Sequence, residues 1–153
     1  KLLKKKIDHA VEFLKQMDFK RLKIAVAGLN PHAGENGLLG SEEIDTIQPF
    51  IDTTYFGEGV EVVGPISADT LFYRAQQGEF DCVLAMYHDQ GLIPVKLNHF
   101  HSAVNVTLGL PFVRTSPDHG TAFDRAYEQL SSIDSMLEAI RLACRLVAVN
   151  AKT

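Results

Sequence analysis

Apolar residues recur along residues 1–23 at Ile7, Val11, Leu14 and Met17, a spacing that places them on one face of a helix. The other face of that helix is rich in lysine. Residues 23–29 (K-I-A-V-A-G-L) form a short apolar run ending near glycine, which predicts a buried strand. Residues 30–40 (N-P-H-A-G-E-N-G-L-L-G) hold proline and three glycines counting Gly40, so they predict a loop. Ser41 is placed to cap a helix that begins Glu42-Glu43-Ile44. Residues 60–63 read as a strand closed by Gly64-Pro65, residues 67–77 as a helix and 81–87 as a further strand. A short helix from His88 to about Leu97 follows in spite of Pro94. Residues 103–108 and 112–114 predict strands, and 116–121 (S-P-D-H-G-T) a turn. Residues 132–149 close the chain as a helix with Ile133, Leu137, Ile140, Cys144 and Val147 on its apolar face. Alternating strands and helices place the chain in the α/β class with a largely parallel sheet.

Composition narrows the function classes. The chain has 153 residues and a net charge of −4, from 15 Lys and Arg against 19 Asp and Glu. An acidic balance disfavours nucleic acid as a partner. Residues 1–23 hold eight of the basic side chains and three acids, but a solvated helix face accounts for them without a membrane or an RNA. No apolar run approaches the roughly 20 residues of a membrane span, and the expected compartment is the cytoplasm. Cys82 and Cys144 lie far apart, outside any Cys/His cluster, and are expected as buried, reduced thiols. The chain opens at Lys1, without Met and inside a helical pattern, so upstream residues are expected.

Ligands of open α/β sheets sit at the carboxyl ends of strands. His32 falls in the glycine-rich loop after the first strand, and His88 directly after the strand at 81–87. Each could simply bond the backbone of its loop. Together they could bind a metal, since imidazole suits Zn²⁺ and related ions, although such sites commonly use three protein ligands. Lys96, Asn105 and Arg114 follow as polar intrusions in P-V-K-L, A-V-N-V-T and F-V-R-T. A half-buried Lys or Arg needs an anion, either an Asp or Glu of the protein or a substrate carboxylate or phosphate. Asp69 stands at a helix start, where acids are common, or in a site; Asp89 is placed to orient His88 or to act as an acid–base group. His119, before Gly120, lies where a backbone can approach a ligand closely. Neither a G-x-G-x-x-G nor a G-x-x-x-x-G-K-[ST] stretch occurs.

The motifs A-G-L-N-P-H-A-G-E (27–35), G-S-E-E-I-D-T-I (40–47), G-P-I-S-A-D-T-L-F (64–72), A-M-Y-H-D-Q-G (85–91) and V-N-V-T-L-G-L-P-F-V-R-T-S-P-D-H-G-T-A (104–122) closely resemble the 4-hydroxythreonine-4-phosphate dehydrogenase family of vitamin B6 biosynthesis. The resemblance covers the second half of the family's chain. It implies a single α/β fragment over residues 1–153, belonging to a longer two-domain subunit with an isocitrate/isopropylmalate-dehydrogenase-like fold. It also implies a homodimer with shared active sites, an NAD or NADP cofactor, and a divalent metal (Zn, Mg or Co) held by three histidines. His32 and His88 match two of these; the third lies upstream of Lys1. Lys96, Asn105 and Arg114 match substrate-binding positions, with Lys96 also catalytic, and Asp69 and Asp89 match active-site carboxylates. His119, Gly120 and Thr121 resemble the nucleotide loop of the wider superfamily, with Ala126-Tyr127 departing from the usual Ala-Gly pair. The implied reaction is oxidation and decarboxylation of 4-phosphohydroxy-L-threonine. A paralogue acting on D-threonate or D-erythronate 4-phosphate, or an inactive fragment of either enzyme, is the alternative.

Overall fold

The computed structural model describes residues 1–120 and 132–150, which divide between two compact units, Lys1–Pro94 and Val95–Thr153. The first unit is built on a three-stranded parallel sheet of order β2-β1-β3, with β1 (Leu22–Ala27) central, β2 (Val60–Ile66) and β3 (Cys82–Leu84). Five of the six β1 residues are buried, as a near-continuous apolar run in a sheet covered on both faces should be. Lys23 is the exception. Its ammonium faces Glu61 at 3.8 Å and stacks over the ring of Phe80.

Side chains alternate along β1 and divide the core in two. Ile24 and Val26 join Ile7, Val11 and Leu14 of α1 (Leu2–Gln16), together with Ile47 and Ile51 at and within α2 (Gln48–Thr53). Ala25 and Ala27 point the other way, toward Leu71 of α3 (Ala68–Gln76) and Phe80. Helix α1 thus forms for the reason its periodicity indicates, helped by a Lys4–Asp8 ion pair one turn apart at 2.8 Å. His9 lies half-buried on this helix rather than on its solvated face.

Several boundaries differ from the sequence expectation. Strand β2 does not stop at Gly64-Pro65 but runs through it to Ile66, with a cis peptide and a register shift against β1 between Ala25 and Ala27. Strand β3 ends at Leu84 rather than Tyr87, because residues 85–87 turn away to start α4 (His88–His99), which continues beyond Pro94. Ser41 does not cap through its side chain. Its carbonyl accepts from Asp45 N–H at 2.8 Å, its hydroxyl donates to the Asp45 carboxylate, and a wide π-type turn over Glu43–Ile47 leads into α2.

The second unit contains an antiparallel ribbon of β4 (Val104–Val106) and β5 (Thr115–Pro117), so β5 takes the place of the strand expected at 112–114 and part of the expected turn. Helix α5 (Asp134–Asn150) packs on the ribbon through small residues. Ser135 and Ala139 are buried, as is Leu146. Thr115 Oγ1 donates to Ala139 O at 2.8 Å, and Ser135 Oγ donates to Ala103 O at 2.7 Å. The stripe expected to face the core, Ile133, Leu137, Ile140, Cys144 and Val147, is exposed. Of the two cysteines expected to be buried, Cys82 is half-buried and Cys144 exposed. Among the described residues no helix is long and apolar enough to cross a membrane.

Candidate active site

Three carboxyl ends of neighbouring parallel strands deliver the site residues of the first unit. β1 leads to His32, β2 to Asp69 in the first turn of α3, and β3 to His88 at the start of α4. His32 Nδ1 faces Asp69 Oδ2 at 3.9 Å, and His88 Nδ1 lies 2.7 Å from Asp89 Oδ1. The carboxylate bonded to His88 Nδ1 favours the tautomer that leaves Nε2 free to ligate, an arrangement common behind metal-binding imidazoles, whereas the His32–Asp69 separation is too long for such a bond. Both rings are mostly exposed, at 63% and 80%. The donor chemistry suits a borderline divalent ion. Among the described residues no three of His, Cys, Asp or Glu gather closely enough to hold a metal ion, so these two His–Asp pairs do not by themselves make a metal site.

The loop that carries His32 has an unusual backbone. From His32 to Asn36 every residue has positive φ (52°, 52°, 83°, 43° and 55°), a left-handed coil in which four members are not glycine. Left-handed backbone costs an L-residue about 1–2 kcal/mol, so the surroundings must enforce it. Glu43 pins the entrance of the coil at Asn30, whose carbonyl accepts from Ala33 N–H at 3.2 Å. It is 2% exposed, and its carboxylate accepts from the Asn30 backbone N–H at 2.7 Å and from Asn30 Nδ2 at 2.9 Å. Burial alone would raise its pKa. Bonds from the Asn30 backbone and side chain, with contributions from the backbone N–H groups of Glu43 and Leu29, outweigh burial and hold it below the usual carboxylate range. The coil wraps so closely that a Cβ on Gly34 would lie 2.7 Å from Gly40 O and 2.9 Å from Glu43 Oε2.

In the second unit Lys96 is half-buried, and its ammonium pairs with Asp118: Oδ2 at 2.8 Å, with a further bond to the Asp118 carbonyl. The anion that Lys96 requires is therefore present in the protein itself. Phe100 lies beneath the same ammonium, 5.4 Å from ring centroid to nitrogen. Asn105 and Arg114 are exposed rather than half-buried. Arg114 donates to Thr107 Oγ1 at 2.6 Å, and period-two alternation puts Thr107 on the same ribbon face as Asn105. His119 is exposed, with Nδ1 3.0 Å from Gly120 O. A Cβ at Gly120 would touch nothing within 4 Å among the described residues. Thr121 lies outside the described residues.

Sequence reasoning missed Asp118, Glu43 and Gln90. Asp118 sits in the S-P-D-H-G stretch that had drawn attention only to its histidine. Glu43 looked like an ordinary first-turn acid. Gln90 directly follows His88 and Asp89, which were singled out, yet an uncharged amide carried no signal of its own.

Comparison with known proteins places the chain as a whole. Residues 1–143 match the family model described as pyridoxal phosphate biosynthetic protein PdxA. A D-threonate 4-phosphate dehydrogenase of Pectobacterium atrosepticum is 51% identical over 140 residues, covering 92% of this chain and 43% of that protein. A 4-hydroxythreonine-4-phosphate dehydrogenase of Bradyrhizobium diazoefficiens is 51% identical over 141 residues, 92% of this chain and 41% of that protein. The crystal structure of a 4-hydroxythreonine-4-phosphate dehydrogenase from Klebsiella pneumoniae superposes with a TM-score of 0.77 at 50% identity, over 92% of this chain and 42% of that one. The chain thus spans less than half the length of these relatives. With residues 1–143 matched by the family model and half of its residues identical to relatives of the same fold, it belongs to the PdxA family of pyridoxal phosphate biosynthetic proteins.

Proposed function

We propose that the protein of which this chain is part is a nicotinamide- and metal-dependent dehydrogenase that oxidises and decarboxylates 4-phosphohydroxy-L-threonine to 3-amino-2-oxopropyl phosphate. The observation that carries this reading is the pair of exposed histidines at neighbouring strand ends, each with a carboxylate facing its Nδ1. A divalent ion bound there supplies positive charge that lowers the pKa of the substrate hydroxyl, and NAD(P)⁺ supplies the hydride acceptor. His32 and His88 hold the ion, with Asp69 and Asp89 orienting them. Asp69 and Asp89 are also the candidates to take the hydroxyl proton as hydride leaves the carbon. Arg114 presents a planar fork to the substrate phosphate, and Asn105 adds an amide donor. The Lys96 ammonium stabilises the negative charge left as CO₂ departs. His119, Gly120 and Thr121 are the nucleotide candidates. The protein works as a cytoplasmic homodimer with shared sites in this reading.

A second reading has a specific basis, since relatives named D-threonate 4-phosphate dehydrogenase match as well as those named for the B6 intermediate. D-Threonate 4-phosphate differs from 4-phosphohydroxy-L-threonine in bearing a hydroxyl where the latter has its amino group. The phosphate and carboxylate handled by Arg114, Asn105 and Lys96 are common to both. The test is NAD(P)H formation by the complete gene product with Zn²⁺ or Mg²⁺, on 4-phosphohydroxy-L-threonine and on D-threonate and D-erythronate 4-phosphates in parallel. Turnover confined to the first supports the B6 assignment. Turnover confined to the sugar-acid phosphates moves the protein to the second reading, and turnover of none refutes both.

A further inference from the structure

The register of the parallel sheet pairs Ile24 with Cys82 and Val26 with Leu84. Continued by one more step of two residues, it would set Gly28 opposite Met86. There the two strands part, because β3 has ended. The gap is filled by the side chain of Gln90, which is 8% exposed. Its Nε2 donates to Gly28 O at 2.7 Å, and its Oε1 accepts from Met86 N–H at 2.7 Å. A carboxamide offers the same donor and acceptor as a peptide unit, so Gln90 acts as one inserted rung of the ladder. The partners also fix its orientation, since a flipped amide would set donor against donor and acceptor against acceptor. On its far side Gly28 N–H donates to Ile66 O at 2.8 Å, which ties the end of β2 into the same row.

Four residues after Gly28 comes His32, and two after Met86 comes His88. We infer that Gln90 is a positioning residue, whose amide sets the separation of the His32- and His88-bearing segments and so makes the two imidazoles usable as a pair. As a route to metal binding this rests on the reading proposed above; as a statement about the two segments it does not. An amide also does here what a hydrophobic residue cannot, because the Gly28 carbonyl and Met86 N–H would otherwise be left unpaired beside the core.

The test uses the complete gene product and three variants. Gln90→Leu removes both bonds at similar volume, and Gln90→Glu keeps the shape but sets an oxygen against Gly28 O. Leu14→Ala, in the core cluster under α1, serves as a destabilised control on a helix that carries neither segment. The first readout is metal-free, the NMR resonances of the histidine rings. Both Gln90 variants should shift His32 and His88 together while leaving His9 and His101 in place, and Leu14→Ala should leave His32 and His88 unshifted. The second readout is Zn²⁺ titration, where loss of such a supporting group weakens binding about tenfold or more. Rings of His32 and His88 that stay put, or only one that moves, overturn the inference. So does unchanged Zn²⁺ affinity in a protein whose wild type loses Zn²⁺ on His88→Ala. If the wild type binds no Zn²⁺ through His88, the metal reading fails by itself, and the ring shifts alone decide the role of Gln90.

Discussion

Removing the Glu43 carboxylate tests whether a buried charge holds the left-handed coil. In Glu43→Ala two bonds from Asn30 disappear, and Asn30 N–H is left without its acceptor in a closed space. Hydrogen bonds to a charged group contribute about 1.5–3 kcal/mol each, so the gross loss is about 3–6 kcal/mol. Two effects oppose it. The charge no longer has to be desolvated, and a coil freed of its anchor relaxes some of the strain at His32, Ala33, Glu35 and Asn36. The expected net loss is about 3 kcal/mol, and about half that for Glu43→Gln, which keeps one acceptor but turns an NH₂ toward Asn30. With urea m-values of about 1–3 kcal/mol/M, Glu43→Ala should lower the unfolding midpoint of the complete gene product by about 1–3 M. The pH dependence follows in sign from the lowered pKa. The contribution of Glu43 is fully present above its ordinary value near 4.5 and is lost as pH falls through the depressed folded value. Since Gln does not titrate, wild type and Glu43→Gln should converge in stability on acidification. A midpoint that moves by less than about 0.3 M in Glu43→Ala, or a gap that widens toward acid, would refute the reasoning.

Three further outcomes are expected. Lys96→Met should lower kcat by about 100-fold or more with KM within a few-fold, as loss of a charge that acts in the transition state requires; steady-state kinetics with an unchanged kcat removes that role. Arg114→Lys should raise KM for the phosphorylated substrate about tenfold, because an ammonium cannot form the two-point bond of a guanidinium, and an unaltered KM places the phosphate elsewhere. Burial first, and the neighbouring Asp81 charge second, push the Cys82 thiol up, so at pH 8.5 it should alkylate at least about tenfold more slowly than a free thiol by peptide mass spectrometry; equal rates contradict this.

What could be read from the sequence was what a single period or motif carries. Ile7, Val11 and Leu14 announce α1 because one helix face meets one sheet face, and K-I-A-V-A announces β1 because a central parallel strand is apolar on both sides. The same logic failed on α5. Its larger side chains, Ile133, Leu137 and Ile140, face outward, while Ser135 and Ala139 let the helix approach the ribbon closely and bond to it. Hydrophobicity marks which residues prefer burial, and here size and hydrogen bonding decided which face went in. In the site, histidines at strand ends were legible, whereas their supports were not. Glu43 and Gln90 act through contacts 13 and 62 residues away along the chain, which no local pattern encodes.

The coil from His32 to Asn36 also inverts a familiar rule of substitution. It is a short piece of mirror-image backbone, the conformation a chain of D-amino acids would choose. Glycine weakens ordinary elements by its freedom, but it is indifferent to handedness. At Ala33, glycine should therefore be neutral or stabilising. A β-branched residue such as valine or isoleucine, welcome one strand earlier in β1, should be the worst tolerated choice at every non-glycine position of the coil.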